Sequence, residues 1–168
     1  MLTIYDASTL PLKRALTNLS HILKKAEAHA EAKNIDPSIF VNARLFPDMY
    51  PLSRQVQIAT DMTKGALARL ADVEIPKYED NETTFAELQA RIAKTIHFIN
   101  SILPEQLVGS EARDVVINVR KVDIRFKGHA YLLNWVMPNV YFHITTAYNI
   151  LRHNGVDLGK SDFLGDMA

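Results

Sequence analysis

The segment at residues 137–155 constrains the fold of this chain more than any other. Its apolar residues recur three and four positions apart, which is the spacing that gathers side chains on one face of an α-helix. Pro138 predicts a kink, or a helix start between 134 and 138, because proline removes one backbone donor. Gly155 after Asn154 predicts a left-handed C-cap. The segment is therefore predicted to be the last long helix of a helical bundle.

Two polar residues interrupt the apolar face of this helix. At about 100° per residue, His143 lies near the middle of that face, and Asn139 lies one turn earlier on the same side. An unpaired buried imidazole or amide costs roughly 1–3 kcal/mol. One interpretation is that the two residues satisfy each other or the backbone freed by Pro138. The other is a polar pocket for a ligand or metal, in which His143 could also act as a general acid or base.

Three further segments have the helical period, and they are predicted to be helices at residues 8–33, 51–71 and 84–103. Ser8 is the predicted N-cap of the first, and Thr84 with Glu87 predicts a capping box for the third. In the second helix, Gln55 lies on the flank of the apolar face. Asp61 lies nearly opposite that face, so it is predicted to face solvent or a partner.

Residues 113–127 change period and alternate apolar with polar side chains, which predicts a β-hairpin. A two-stranded hairpin is marginal alone, so it is expected to dock on the helices. Residues 34–50 and 72–81 carry prolines and are predicted to be connections, and residues 156–168 show no period. Together these patterns predict one mostly helical domain over residues 1–168.

Charge and composition exclude several classes of protein. Lys plus Arg and Asp plus Glu number 19 each, and this zero net charge argues against a nucleic-acid surface. No apolar run is long enough to span a membrane, and the N-terminal residues lack the basic and apolar parts of a secretion signal. The chain has no Cys, which excludes disulfides and thiolate ligands. A cytoplasmic location is the expectation.

Three blocks of sequence resemble a bacterial family of unknown function among the DinB/YfiT-like proteins. They are LFPDMYPLSRQVQIATDMTKGALARLADVEIP, ETTFAELQARIAKTI, and MPNVYFHITTAYNILRHNG followed by FLG. The resemblance covers nearly the whole chain. It implies a four-helix up-down-down-up bundle that is often dimeric. It also implies membership of a superfamily of proposed metalloenzymes, whose characterised branches include thiol-dependent transferases and isomerases.

The resemblance also implies where a metal would bind. The superfamily pattern is a His on the second helix and an HxxxH motif on the fourth. Here the HxxxH register begins at Asn139 and ends at His143, and the second-helix position falls near Ala59. Zinc at catalytic sites takes about three imidazole, thiolate or carboxylate ligands from the protein. The sequence therefore predicts a degenerate metal site that retains His143 as its one ligand.

These observations leave three functions open. The first is a small ligand bound in a polar pocket, for which the candidate residues are His143, Asn139, Gln55 and Asp61. The second is a metal-dependent hydrolase or thiol-dependent transferase that uses zinc or nickel, with further ligands from Asp61, His129 or Asp48. The third is a homodimeric structural or interaction protein, suggested by the outward positions of Tyr141 and Tyr148, because exposed aromatic residues favour interfaces.

Overall fold

The computed structural model describes residues 2–166 and is mostly helical, with one two-stranded antiparallel sheet. Its elements are α1 (Ile4–Lys33), α2 (Pro37–Asn42), α3 (Leu52–Ala71), α4 (Phe85–Ser101), β1 (Asp114–Val119), β2 (Val122–Lys127), α5 (Gly128–Tyr131), α6 (Met137–His153) and α7 (Lys160–Leu164). Within residues 2–166, none of these helices combines the length and the apolar composition that crossing a membrane requires.

The first helix begins four residues earlier than the sequence predicted. Thr3 caps it, and the side chains and backbone amides of Thr3 and Asp6 bond each other reciprocally. Ser8 is fully buried one turn inside the helix, and its hydroxyl donates to the Ile4 carbonyl at 2.6 Å. The prediction of Ser8 as N-cap is therefore wrong, because the capping box at Thr3 satisfies two backbone donors at once.

The core lies where the four long helices α1, α3, α4 and α6 meet. Helix α3 packs mainly against α6 and α4, and α1 packs against the same two helices. The fully buried side chains at these contacts are mostly leucine, isoleucine and valine: Leu16, Leu19, Ile22, Leu23, Val56, Leu67, Leu70, Leu88, Val140 and Ile150. Polar residues on α3 therefore have two neighbours to reach, α6 on one side and α4 on the other.

The predicted hairpin is confirmed over residues 114–127. Strands β1 and β2 pair antiparallel, and the turn residues Arg120 and Lys121 have φ of 50° and 68°, as a tight hairpin turn requires. Gly128 follows β2 directly and packs against backbone. A Cβ at Gly128 would lie 1.8 Å from the Ser110 carbonyl oxygen, so only glycine fits at this junction.

The last helical region is longer than predicted and changes its winding. It starts with α5, passes through one π-helical turn at Leu132–Val136 and continues as α6. Pro138 lies in the first turn of α6, directly after the widened turn. Asn139 Nδ2 donates to the Trp135 carbonyl at 2.6 Å and so satisfies a backbone acceptor there. Gly155 has φ of 90°, which confirms the predicted left-handed end of the helix.

The C-terminal segment forms a short helix that the sequence pattern did not indicate. Helix α7 packs on α1, where Asn18 Nδ2 donates to the Phe163 carbonyl at 3.0 Å. The Tyr148 ring packs edge-on against Phe163, with ring centroids 6.4 Å apart. Tyr148 is thus half-buried, and the prediction that it points outward is wrong because α7 covers it. Tyr141 is 40% exposed.

Candidate functional site

A hydrogen bond between α6 and α3 joins two of the predicted site residues. His143 Nδ1 lies 2.7 Å from Gln55 Oε1, and Gln55 is 2% exposed. Gln55 Nε2 donates to the Tyr50 carbonyl at 3.0 Å, which orients the amide so that Oε1 faces the imidazole. Because an amide oxygen can only accept, Nδ1 carries the proton. Gln55 therefore selects the Nδ1–H tautomer of His143.

The surroundings of His143 also keep its ring neutral. Burial lowers the pKa of His143 from its usual 6.5, and the positive charge of Arg54 lowers it further. A neutral ring with its proton on Nδ1 leaves a lone pair on Nε2. The half-buried imidazole is thus a fixed hydrogen-bond acceptor or base, oriented by a buried amide.

The other two candidate residues have different partners. Asn139 is half-buried one turn before His143, and its amide donates to the Trp135 carbonyl rather than to the imidazole. The Asp61 carboxylate lies 2.7 Å from Arg91 Nη2 and also pairs with Lys64. The structure therefore joins His143 to Gln55, whereas Asn139 satisfies backbone and Asp61 belongs to an ion cluster between α3 and α4.

That ion cluster is centred on Arg91, whose side chain is 1% exposed. We name it the Arg91 cluster. Its carboxylates are Asp61 at 2.7 Å, Glu82 at 2.9 Å and Asp80 at 3.0 Å from guanidinium nitrogens. The guanidinium also donates to Thr60 Oγ1 at 2.7 Å and to the Glu79 carbonyl at 3.0 Å. A buried cation with this many acceptors ties the 72–84 connection to α3 and α4.

Tyr78 covers the Arg91 cluster on the side of the connection. The ammonium groups of Lys64 and Lys94 each lie 4.1 Å from the centroid of the Tyr78 ring, and the Arg91 guanidinium lies 5.3 Å from it. These distances are within the range of cation–π attraction. Burial raises the pKa of Tyr78, so its hydroxyl stays protonated at neutral pH.

Arg54 belongs to the edge of the Arg91 cluster. Its guanidinium forms a salt bridge with Asp80 and donates to Gln57 Oε1 at 3.2 Å. Burial would raise the pKa of Asp80, but the hydrogen bonds and charges of Arg54 and Arg91 outweigh it and lower that pKa. The positive charge of Arg54 also contributes, after burial, to the lowered pKa of His143.

Sequence reasoning missed the Arg91 cluster, although one signal was present. Arg91 lies three residues after Leu88 and one before Ile92, inside the apolar stripe of α4. A charged residue at such a position has to find buried partners. Of the acidic residues that meet it, Asp80 lies in the predicted connection 72–81, Glu82 lies just after that connection, and Asp61 lies on α3.

The side chains at His143 do not fit a zinc or nickel ion. Its hydrogen-bonded neighbour is the amide of Gln55, and Ala59 at the second-helix position is a buried methyl group. Among residues 2–166, no group of three or more His, Asp or Glu side chains is arranged to hold a metal. Two further residues were candidate metal ligands. His129 Nδ1 lies 3.1 Å from the Glu111 carbonyl, and Asp48 is exposed on the connection between α2 and α3. This donor set falls short of what a catalytic zinc requires.

Comparison with known proteins places the chain in a family. The model of a domain of unknown function, DUF1993, matches residues 4–164. A crystal structure described as a DinB family member protein from Shewanella denitrificans is 40% identical in sequence, with a TM-score of 0.92. The match covers 98% of this chain and 93% of that one. No curated protein matches the chain. The chain therefore belongs to the DUF1993 family, a DinB-like family of unknown function.

Proposed function

We propose that this chain binds a small molecule at a polar site around His143, which takes the place of a metal site. The observation that carries the proposal is the hydrogen bond between Gln55 and His143. It fixes a neutral imidazole with its Nε2 lone pair available, an arrangement that suits a ligand O–H or N–H donor. The site is thus suited to hydrogen-bond recognition.

An exposed aromatic ring beside the imidazole supports a flat, partly apolar ligand. Phe142 is 57% exposed, and its ring centroid lies 5.3 Å from that of His143 in an edge-on arrangement. Tyr50, whose carbonyl holds Gln55, is 56% exposed. Ligand sites commonly combine such apolar surface with a few fixed polar groups. A small aromatic alcohol or amine with one donor group has the matching chemistry.

The ligand proposal is tested with phenol and indole as probes, by ¹H–¹⁵N NMR titration of the full chain. Both probes are expected to shift signals around His143, and toluene, which has no donor, is expected to bind more weakly. His143→Phe keeps a ring of similar size and should reduce binding. His97→Phe, at an exposed histidine of α4, is the control. Equal binding to the His143→Phe variant, or no shift with either probe, would contradict the proposal.

The proposed architecture is a single domain over residues 1–168 with an up-down-down-up arrangement of α1, α3, α4 and α6. Its distinctive feature is that α3 and α4 run parallel. Arg91 lies in the second turn of α4 and donates a hydrogen bond to Thr60, which is eight residues from the start of α3. The contact joins the first half of one helix to the first half of the other, as expected when two helices run parallel. The 13-residue connection 72–84 can span about 43 Å when extended, more than the roughly 30 Å length of α3.

A homodimer is a second proposal, and it is compatible with the first. Leu10 and Tyr141 are 53% and 40% exposed, and they line one cavity of about 410 Å³ bounded by α1, α6 and α7. Exposed apolar and aromatic residues in one place favour an interface. Leu10→Asp is expected to shift sedimentation toward the monomer, whereas Val116→Asp on the hairpin should not. A wild-type chain that is monomeric at micromolar concentration would contradict the dimer.

A further inference from the structure

A second cavity, of about 620 Å³, lies at one end of the helices and is separate from His143 and Gln55. It is bounded by the start of α1, by residues 104–111 and by the region of α5 and the π-helical turn. The larger aliphatic side chains that line it are Leu2, Ile4, Leu107, Val108, Leu132 and Leu133. Its size is within the range of small-molecule sites, about 300–1,000 Å³.

Apolar side chains at this cavity are exposed to an unusual degree. Val108 is 78% exposed, Leu2 is 77% exposed and Leu133 is 58% exposed, and they come from three separate segments that converge on one space. The π-helical turn contributes to this arrangement, since it buries Leu132 and leaves the next residue, Leu133, open. Such turns are frequent at functional sites. Exposed apolar groups around a cavity of this size favour an apolar ligand body.

The carboxylates at the cavity set the charge that its lining presents to a ligand. Its charged lining residues are Glu105 and Glu111, and neither Lys nor Arg is among the residues that line it. His129 also lines it, and its Nδ1 lies 3.1 Å from the Glu111 carbonyl. Because a carbonyl can only accept, Nδ1 of His129 donates to it. The two carboxylates favour a cationic donor over an anion.

We propose that this cavity binds a monocationic amphiphile, whose aryl or alkyl body lies among the leucines and whose amine meets Glu105 and Glu111. This site is distinct from the hydrogen-bonding site proposed at His143, and the two take different ligand chemistry. The apolar body supplies most of the affinity, because burial of apolar surface is the main driving force. The carboxylates supply selectivity for charge, because exposed ion pairs contribute modestly.

The test compares three probes that share one apolar body: 4-phenylbutylamine, 4-phenylbutan-1-ol and 4-phenylbutyrate. Each is titrated into the ¹⁵N-labelled full chain and followed by ¹H–¹⁵N NMR. The amine is expected to bind about tenfold or more tighter than the carboxylate, with the alcohol between them, and to shift Val108 and Leu133. Equal or tighter binding of the carboxylate would overturn the proposed cationic ligand. Absence of binding by all three would overturn the site.

Two sets of variants separate the apolar and charged contributions. Leu133→Trp should fill the cavity and abolish binding of all three probes, whereas Val122→Trp, 62% exposed on β2, should leave binding unchanged.

The double variant Glu105→Gln/Glu111→Gln should bind 4-phenylbutylamine about three- to tenfold more weakly than the wild type does. Its affinity for 4-phenylbutan-1-ol should be unchanged. Its control is Glu27→Gln/Glu31→Gln, two exposed residues on α1. An effect of equal size in the control pair would overturn the role of the carboxylates. Shifts at Val108 and Leu133 that depend on protein concentration without any probe would instead identify a second copy of the chain as the occupant.

Discussion

The sharpest prediction for stability concerns replacement of Arg91 by methionine. Arg91→Met removes the cation that joins α3, α4 and the 72–84 connection and keeps a side chain of similar length. The guanidinium is 1% exposed, and of its carboxylate partners Glu82 is 11% exposed, whereas Asp61 and Asp80 are each 36% exposed. These exposures decide how much each ion pair contributes.

Removing one partner of a buried ion pair costs about 3–5 kcal/mol, because the other charge is left without compensation. Exposed pairs contribute about 1 kcal/mol or less. The pair of Arg91 with Glu82 is a buried ion pair. The pairs with Asp61 and Asp80 are closer to exposed pairs, since both carboxylates reach solvent and keep Lys64 and Arg54 as partners. Arg91→Met should therefore lower the free energy of unfolding by about 3 kcal/mol, near the lower end of the buried range.

Urea unfolding monitored by circular dichroism measures this difference. The midpoint should fall while the slope with urea stays constant, because the area exposed on unfolding is nearly unchanged. Asp61→Asn is the matched control, expected to cost about 1 kcal/mol or less because Asp61 is 36% exposed and Arg91 keeps Glu82 and Asp80 as partners. A loss below about 1 kcal/mol for Arg91→Met, or an equal loss for Asp61→Asn, would refute the reasoning.

Three further predictions concern His143 and one glycine. Gln55→Glu places a carboxylate beside the imidazole and should raise the pKa of His143, which an NMR titration measures; an unchanged pKa would contradict the contact. The pKa of His143 is lowered by folding, so its contribution to stability is present above 6.5 and is lost as pH falls through the folded value. Urea unfolding between pH 7 and 5 should show this loss in the wild type and less of it in His143→Gln. Gly128→Ala should cost about 3 kcal/mol in the same assay, because its Cβ would meet the Ser110 backbone. Gly159→Ala, whose Cβ has ordinary contacts, should cost about 1 kcal/mol or less.

Much of the fold could be predicted from periodicity, and the errors have identifiable causes. The long helices follow from apolar stripes, and the hairpin follows from the alternation of residues 114–127. The start of α1 was misplaced because Ser8 is a good cap by residue type, while Thr3 with Asp6 forms a better one. Helix α7 has five residues, too few to show a period, and packing against α1 stabilises it.

The site was predictable only in part, because it depends on how helices pack. The wheel placed His143 on the inner face of its helix and Gln55 on the flank of another. Their hydrogen bond depends on how far α3 and α6 are rotated and shifted against each other, which local sequence does not determine. The Arg91 cluster also depends on how helices pack, because its partners are separated by up to 31 residues of sequence. Local sequence patterns therefore did not predict it.

The most direct test of the central claim is the protonation state of His143, measured from the ¹⁵N resonances of its ring at several pH values. At neutral pH the account predicts that Nδ1 is protonated and Nε2 is not, and that the ring titrates below 6.5. A ring protonated on Nε2, or a midpoint above 6.5, would contradict the role assigned to Gln55 and with it the proposed site.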